Sequence, residues 1–441
     1  MTYHDALSYL GEARRFGVKL GLGPMRRLAG ALGNPQERLR FMHIAGTNGK
    51  GSTAAFCESC LRASGHRTGL YTSPHLVSVR ERIQIDRQPI SETDFAAGMG
   101  AVRGALEEME GYSATFFEIM TALALWYFAR EKVEWVVWET GLGGRLDATN
   151  IVRPEVCIIT NIGLDHQKHL GSTLAEIAAE KAAIIKPRAP VVSAVDPGEA
   201  REVIVRRARA KGSGLTLVQR DMKTEDLGLD GNRQLARIGG RAYRLGLIGS
   251  HQVMNAACAA QAVKYAGVSR EALMCGLESA RWPGRFDIIS EKPLMVVDGA
   301  HNPAGAMKLA DTWRAFLAAR FGWSAREAAG RAHLVFASVA DKDVAEMARP
   351  LRLLAQRVSL VRLANERTAD PAWLEAFFPD LPVTCYNSVA DMWHDLVTAP
   401  GDIPVLVAGS LFLVGEMLAQ RQNDTEEYRL NERLDAPVTA R

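Results

Sequence analysis

The stretch Phe41-Met-His-Ile-Ala-Gly-Thr-Asn-Gly-Lys-Gly-Ser52 says more about the fold than any other part of the chain. Its apolar first half predicts a short strand, its glycines predict a tight turn, and a helix is expected from about Thr53 to Ala63. The backbone N–H groups of such a turn, at the positive end of a helix, form a cradle for phosphate oxygens. Lys50 can neutralise the outer phosphates, and Ser52 can hold the accompanying Mg²⁺. The stretch therefore predicts a protein that uses a nucleotide.

Composition limits the classes of protein to consider. The 441 residues exceed what one hydrophobic core usually supports, so two domains are expected. An apolar fraction of 47% and a charged fraction of 23% are typical of globular proteins, and a net charge of +3 predicts neither a nucleic-acid nor a membrane partner. The chain start lacks the pattern of a signal peptide, no apolar run is long enough to span a bilayer, and the six cysteines are scattered. We therefore expect a cytoplasmic monomer with small-molecule substrates.

Strand-like apolar runs alternate with helical patterns from about residue 40 onward, and this alternation predicts an α/β fold with a doubly wound, mostly parallel sheet. The clearest strands are expected at 41–45, 133–138, 156–161, 294–298, 333–337 and 404–408. The clearest helices are expected at 116–130, 173–186, 251–266 and 304–318.

Two interruptions of this pattern predict the domain organisation. Short alternating segments within 212–248 predict a small antiparallel patch, and the turn residues Trp282–Arg285 predict a boundary. The predicted domains are therefore a nucleotide-binding domain at 1–288 and a smaller α/β domain at 289–441.

Polar residues follow several of the predicted strands, where ligands of open α/β sheets collect. Glu139 comes directly after the strand 133–138, and it could bind Mg²⁺ or simply cap the next turn as a surface carboxylate. His166 follows the strand 156–161 and could be a ligand or a structural histidine. Both residues are expected at the same edge of the sheet as the phosphate loop, and this position favours the ligand role for both.

Lys181 stands out because it falls within an apolar helical stripe that includes Leu174, Ile177 and Ile185. An ammonium group at such a position must extend to solvent, find a partner or change chemically. The pattern alone leaves these alternatives open.

Further polar candidates lie on both sides of the predicted boundary after residue 288. Arg285 could reach across a cleft to the phosphates, and Asp298 could accept hydrogen bonds from a ribose. Asn255 and Ser410 are placed similarly, Ser410 directly after the strand 404–408. Taken singly, each of these residues could equally be structural.

Together these motifs resemble those of the folylpolyglutamate synthases, which belong with the Mur-type ATP-dependent amide ligases. The resemblance rests, in chain order, on 46–52, 71–76, 139–150, Asp165-His166, Glu180-Lys181, 283–285 and 298–303. It implies two domains, the second of them Rossmann-like, with the active site between them.

The resemblance also implies roles for individual residues. The magnesium ligands of the family fall on Ser73, Glu139 and His166, beside Ser52, and the carbamylated lysine of the family falls on Lys181, where it would help to hold a second Mg²⁺. The ATP contacts fall on Thr47, Asn48, Gly49, Lys50, Gly51, Ser52, Asn255, Arg285 and Asp298.

The acceptor pocket is implied in the same way. The segment Gly144–Asn150 resembles bacterial members that also make dihydrofolate, and the segment Gly17–Leu20 departs from the usual pattern of the family. The pterin contacts of these members fall on Thr115, Phe116, Phe117, Glu118, Leu146, Asp147 and Ala148. His301, Ser410 and Asp147 are the candidates for contacts with glutamate, with His301 also a catalytic candidate beside Lys50 and Lys181.

The activity implied is ATP-dependent addition of L-glutamate, through an acyl phosphate, to dihydropteroate and to the glutamate tail of tetrahydrofolate. The sequence leaves three alternative functions open. The chain could be a folylpolyglutamate synthase only, another Mur-type amino-acid ligase, or a nucleotide switch without catalytic activity.

Overall fold

The computed structural model describes residues 1–17, 19–109, 111–398, 401–422, 430 and 439–440. These residues form two large sheets with helices packed on them, which confirms the predicted α/β class. The first sheet has eight strands, in the spatial order Gln88–Pro89, Ile83–Ile85, Thr68–Tyr71, Trp135–Glu139, Arg40–Ala45, Val156–Ile159, Val191–Ser193 and Leu215–Leu217.

The strand that precedes the phosphate loop lies at the centre of this sheet. Arg40–Ala45 pairs in parallel with Trp135–Glu139 on one side and with Val156–Ile159 on the other. Only the edge departs from the predicted parallel arrangement, because Ile83–Ile85 and Gln88–Pro89 form an antiparallel hairpin. The two residues of its turn have φ values of 49° and 69°, as expected for the tight hairpin turn that matches strand twist.

The helix after the phosphate loop begins at Lys50, three residues before the predicted start. Gly49 precedes it with a φ of 82°, a conformation that glycine adopts without steric penalty. A Cβ at Gly49 would also lie 2.5 Å from Oδ1 of Asn255. The turn therefore closes one residue before the lysine, and Lys50 belongs to the first helical turn.

The helices around the first sheet cover both of its faces. They are Tyr3–Ala13, Gly23–Ala31, Lys50–Ala63, Glu92–Glu107, Phe116–Arg130, Gln167–Leu170, Leu174–Ala182, Glu199–Ala210, Val218–Asp221, Gln252–Ala262 and Arg270–Ser279. Short 3-10 turns add Arg14–Phe16, Pro35–Arg38, Val79–Arg82, Ala148–Ile151 and Val263–Ala266.

The second sheet has six strands and is parallel except at one edge. Its spatial order is Asp287–Glu291, Leu294–Val297, Val405–Ala408, Ala332–Phe336, Ala355–Val361 and Val383–Tyr386. The predicted boundary after residue 288 falls within its antiparallel edge strand. Its helices are Pro303–Phe321, Ala325–Ala328, Val344–Arg352, Pro371–Leu374, Val389–Thr398 and Leu411–Gln422, with a 3-10 turn at Glu375–Phe377.

The segment predicted as an antiparallel patch contains a separate three-stranded sheet. Its strands are Thr224–Asp230, Arg233–Ile238 and Arg241–Leu245, all antiparallel. Buried residues of this sheet pack in one cluster with Val253 of the helix Gln252–Ala262. A further short pair joins Lys19–Leu20 to Thr439–Ala440.

A loop beside the first sheet and a helix beside the second sheet contact each other closely at one point. A Cβ at Gly415 would lie 2.3 Å from the backbone oxygen of Leu76, so only a glycine fits there. A Cβ at Gly284 would lie 3.1 Å from the Leu76 side chain. This contact joins the segment after the strand Thr68–Tyr71 to the helix Leu411–Gln422. Among the described residues, no helix is both long enough and apolar enough to cross a bilayer.

Candidate active site

The phosphate loop is held in shape by the segment that follows the neighbouring strand Val156–Ile159. The backbone N–H groups of Thr47 and Asn48 donate to the backbone oxygen and to Oδ1 of Asn161, at 2.9 and 2.7 Å. The Thr160 hydroxyl donates to the backbone oxygen of Asn48 at 2.7 Å. These two anchoring residues were not predicted, although their place directly after a strand is the signal that could have identified them.

Lys50 lies against its own loop. Its Nζ donates to the backbone oxygens of Gly46 and Thr47, at 3.2 and 3.3 Å. Ser52 is buried one turn into the helix, and Gln252 Nε2 lies 3.5 Å from its Oγ. Asn255 in turn donates to Gln252 Oε1 at 2.9 Å. The structure therefore brings the predicted Asn255 to the phosphate loop and adds Gln252, which the sequence did not indicate.

The three predicted magnesium ligands include a carboxylate in an environment that favours a bound cation. Glu139 is buried, and it accepts a hydrogen bond from the backbone N–H of Ser73 at 3.2 Å. Burial raises the pKa of Glu139 to about 7, although the charges of Lys50 and Arg285 oppose this rise. Both positive charges therefore act on this buried carboxylate.

His166 provides a neutral imidazole at the next strand end. Burial lowers the pKa of His166 to about 4, so the ring is uncharged at neutral pH and can act as a ligand. Ser73, Glu139 and His166 together offer a hydroxyl, a carboxylate and an imidazole, a donor set that fits a divalent cation. Within the described part of the chain there is no cluster of three or more His, Cys, Asp or Glu side chains that could hold a metal.

Asp165, beside His166, links the two halves of the cleft. Its Oδ1 lies 3.0 Å from Nζ of Lys342, which belongs to the second sheet region. Burial alone would raise the pKa of Asp165, but the positive charge that His166 carries when protonated, at low pH, and the charge of Lys342 hold it well below its usual range. Asn302 adds a second bridge, because its Nδ2 donates to Oδ1 of Asn48 at 3.0 Å. The bridging roles of Lys342 and Asn302 were not predicted, since both contacts join segments that are remote in sequence.

Lys181 does not extend to solvent. Its side chain is buried, and its Nζ donates to the backbone oxygen of Gly46 at 2.9 Å. Burial, and after it the positive charge of Lys50, lowers the pKa of Lys181 to about 7. A large fraction of this amine is therefore neutral near physiological pH, next to the phosphate loop.

Two predicted ATP contacts lie at the start of the second sheet region. The carboxylate of Asp298 accepts hydrogen bonds from the backbone N–H groups of Phe286 and Ala300, both at 2.8 Å. Burial raises the pKa of Asp298, whereas the charge of Arg285 lowers it. Asp298 thus organises the backbone around Arg285, and its two oxygens retain lone pairs for a further donor.

His301 and Ser410 lie on neighbouring strand ends. Nδ1 of His301 lies 2.8 Å from the backbone oxygen of Gly299, so the proton is on Nδ1 and Nε2 is left as an acceptor. Burial lowers the pKa of His301 to about 4 and keeps the ring neutral. The residue before Ser410 donates its N–H to the backbone oxygen of Ala300, which brings Ser410 next to His301.

The implied pterin residues fall on two adjoining segments. Thr115 and Glu118 form a capping box at the start of the helix Phe116–Arg130, and Phe116 packs beneath the guanidinium of Arg82. Phe117 meets the Gly141 backbone, where an added Cβ would lie 2.5 Å from its ring. Leu146, Asp147 and Ala148 follow in the same loop. Of the segment Gly17–Leu20, Val18 lies outside the described residues.

Comparison with known proteins agrees with this geometry. Residues 44–263 match the Mur ligase middle domain, and residues 284–411 match the Mur ligase glutamate ligase domain. The fold and the site therefore define an ATP-dependent amide ligase of the Mur type.

Individual relatives indicate which group of Mur-type ligases this chain resembles. The chain is 40% identical to the dihydrofolate synthase/folylpolyglutamate synthase of Bacillus subtilis, over 81% of this chain and 84% of that one. It is 35% identical to the folylpolyglutamate synthase of Lacticaseibacillus casei, over 94% and 97% of the two chains.

Solved structures agree with these relatives. The folylpolyglutamate synthase of Thermotoga maritima superposes with a TM-score of 0.84 and 31% identity, covering 97% of this chain and 98% of that one. FolC of Escherichia coli in complex with DHPP and ADP also gives a TM-score of 0.84, at 30% identity over 96% and 98% of the two chains. The chain belongs to the dihydrofolate synthase/folylpolyglutamate synthase family.

Proposed function

We propose that this chain is an ATP-dependent ligase that adds L-glutamate to 7,8-dihydropteroate and to the glutamate tail of tetrahydrofolate. The observation that supports this function most strongly is the bridge between the phosphate loop and the second sheet region, made by Asn302 and by the Lys342–Asp165 pair. It supports a site in which the phosphate loop faces the polar strand ends that bear His301 and Ser410. A ligase needs this arrangement, because ATP and the amine must meet at one carboxylate.

The chemistry follows from the poor reactivity of a carboxylate toward amines. An oxygen of the acceptor carboxylate attacks the γ-phosphorus of ATP, and ADP leaves with the bridging oxygen. The amine of L-glutamate then attacks the acyl carbon, phosphate leaves, and the nitrogen loses a proton. Lys50 and Arg285 supply positive charge for the first step, which depends chiefly on positioning and charge neutralisation.

We assign the remaining contacts by residue type. Mg²⁺ held by Ser73, Glu139 and His166, beside Ser52, would neutralise phosphate charge when bound. ATP would contact 47–52, Asn255, Arg285 and Asp298. L-Glutamate would contact His301 and Ser410, both at neighbouring strand ends of the second sheet.

We propose that the side-chain amine of Lys181 is carbamylated. Carbon dioxide reacts with a neutral amine, forming an N–C bond and releasing a proton, and the lowered pKa of Lys181 provides that neutral amine. The product is an anion that could hold a second Mg²⁺. We therefore propose a carbamylated Lys181, in a monomeric cytoplasmic enzyme with domains at 1–288 and 289–441.

The test is a substrate panel with the purified protein, ATP and Mg²⁺. We expect ADP together with a product one glutamate residue heavier, from both dihydropteroate and tetrahydrofolate, when L-glutamate is the amine. Product from tetrahydrofolate alone would indicate that the chain is a folylpolyglutamate synthase only. Product only with an unrelated carboxylate or amino acid would indicate another Mur-type ligase, and ATP binding without ADP formation would indicate a switch.

A further inference from the structure

The helix after the phosphate loop contains a buried carboxylate that none of the proposed catalytic steps uses. Glu58 belongs to the helix Lys50–Ala63, and its side chain is only 1% exposed. Burial raises the pKa of Glu58, and the charges of Arg62 and Arg87 oppose this rise. A buried carboxylate is costly unless a cation lies beside it. The ion pairs of Glu58 therefore keep both arginines close to this helix.

The two arginines belong to different elements. Arg62 lies in the same helix, and its Nε donates to Oε1 of Glu58 at 2.9 Å. Arg87 lies in the turn of the edge hairpin of the first sheet, and its Nε lies 3.9 Å from Oε2 of Glu58. The preceding residue, Asp86, fixes this turn, because it accepts the N–H of Thr68 on Oδ1 and donates its own N–H to the backbone oxygen of Thr68, both at 2.9 Å. The side chain of Arg87 therefore extends from an anchored backbone.

The guanidinium of Arg87 also contacts the segment 281–285, the linker between the two predicted domains. Its Nη2 donates to the backbone oxygen of Arg281 at 3.0 Å. Its central carbon lies 5.3 Å from the ring centroid of Trp282, within the range of a cation–π attraction. The Arg87 side chain is 21% exposed, so these are contacts of a largely buried group. Arg87 therefore joins the phosphate-loop helix, through Glu58, to the linker.

The linker in turn connects the phosphate loop to Arg285. An added Cβ at Gly51 would lie 2.9 Å from Nε1 of Trp282, so the indole ring lies directly on the first turn of the phosphate-loop helix. The backbone oxygen of Trp282 accepts the N–H of Arg285 at 3.2 Å. A displacement of Trp282 would therefore move the backbone from which the Arg285 side chain extends.

We propose that Arg87 is a positioning residue, which holds the linker against the phosphate-loop helix and thereby sets the place of Arg285 in the cleft. Glu58 fixes the guanidinium of Arg87, and the packing of Trp282 connects that guanidinium to the backbone of Arg285. This inference rests on the proposed function, in which Arg285 supplies positive charge for phosphoryl transfer. It assigns roles to Glu58 and Arg87, which no sequence motif indicates.

The first test measures the turnover of Arg87→Leu in the full chain. The linker loses its contacts with the guanidinium, and we expect kcat for ADP formation to fall on the order of tenfold, because a small displacement of a catalytic group is costly. The KM for L-glutamate should change less than about twofold, because its proposed contacts lie in the second sheet region. Arg40→Leu is the matched control and should keep the kcat of the unsubstituted chain. Arg40 also lies over a tryptophan ring and 3.9 Å from a glutamate, but at the end of its strand remote from the phosphate loop. An unchanged kcat in Arg87→Leu would overturn the inference.

A second variant separates positioning from neutralisation of charge. In Arg87→Leu the carboxylate of Glu58 loses one of its two cations, which by itself destabilises the fold. Glu58→Leu/Arg87→Leu replaces the buried pair with apolar side chains, an exchange that proteins often tolerate. This double variant should unfold near the temperature of the unsubstituted chain and should retain the loss of kcat. Full kcat in the double variant would show that Arg87 only neutralises Glu58, and the inference would be wrong.

The third test is a double-mutant cycle with Arg285→Ala. If Arg87 acts only through Arg285, Arg87→Leu/Arg285→Ala should have the kcat of Arg285→Ala alone. An effect of Arg87 on the fold in general would be independent of Arg285, so the two losses of kcat would multiply, and that result would contradict the inference. Arg87→Lys keeps a cation beside Glu58 and lacks the planar fork, so it replaces Arg87→Leu in the same cycle if the leucine variant does not fold. Failure of the proposed function is distinguishable, because the unsubstituted chain would then form no ADP with either acceptor.

Discussion

Replacing Lys50 by alanine should abolish ligation with both acceptors. Lys50 begins the helix after the phosphate loop, and its Nζ is already held by the backbone oxygens of Gly46 and Thr47. A charge that is preorganised in this way typically contributes on the order of 10²–10³ to turnover. We therefore expect kcat for ADP formation to fall by at least about that factor. The measurement is a coupled assay with dihydropteroate and, separately, with tetrahydrofolate.

The control for this experiment is Lys264→Ala, which removes an exposed lysine from a 3-10 turn outside the cleft. Both variants should unfold at the temperature of the unsubstituted protein, because neither side chain is part of a hydrophobic core. A folded Lys50→Ala protein with near-normal turnover would show that the loop has a different role.

Replacing Lys181 by alanine should leave ATP binding largely intact and reduce turnover strongly. The amine is buried near the phosphate loop, where an ammonium would repel Mg²⁺ and a carbamate would attract it. The variant would lack the proposed carbamate, so acetate or formate added to the assay should restore part of the rate. Lys181→Arg should be as poor as Lys181→Ala and should gain nothing from acetate, because its positive charge remains.

The modification itself can be measured without activity. The protein kept in ¹³C-bicarbonate should show one carbamate carbon signal by NMR, and Lys181→Ala should lack it. Lys264→Ala should retain the signal. An unsubstituted enzyme that shows no such signal, and that keeps full turnover after removal of carbon dioxide, would refute the carbamate.

Much of the fold could be predicted because its signals lie within a few residues of one another. The strand, glycine turn and helix around Lys50 follow one another directly, and Thr173 and Glu176 form a capping box at the start of the predicted helix that contains Lys181. The helix Phe116–Arg130 has its predicted bounds. Candidate site residues such as Glu139 could be selected for a similar reason, since they stand at the carboxyl ends of apolar strands.

Some local predictions were wrong where a tertiary contact overrides the local pattern. The helix that contains Lys181 ends at Ala182 and not near residue 186, and Ile184 and Ile185 pack outside the helix in the same core cluster as Ala178 and Ala182. The strand Ile83–Ile85 was not predicted, since three residues carry too short a pattern to recognise. Its antiparallel pairing depends on the following turn.

Contacts between distant segments could not be derived from the chain alone. Asp165 and Lys342 are 177 positions apart, His43 and Thr149 are 106 apart, and Lys181 and Gly46 are 135 apart. Hydrophobic periodicity and capping motifs specify which element a segment forms, and they leave open which strands become neighbours. The chemistry available at each strand end is therefore encoded locally. The order of the strands and the packing of the two sheets decide which of these groups meet, because burial and hydrogen bonding are satisfied only in the assembled tertiary structure.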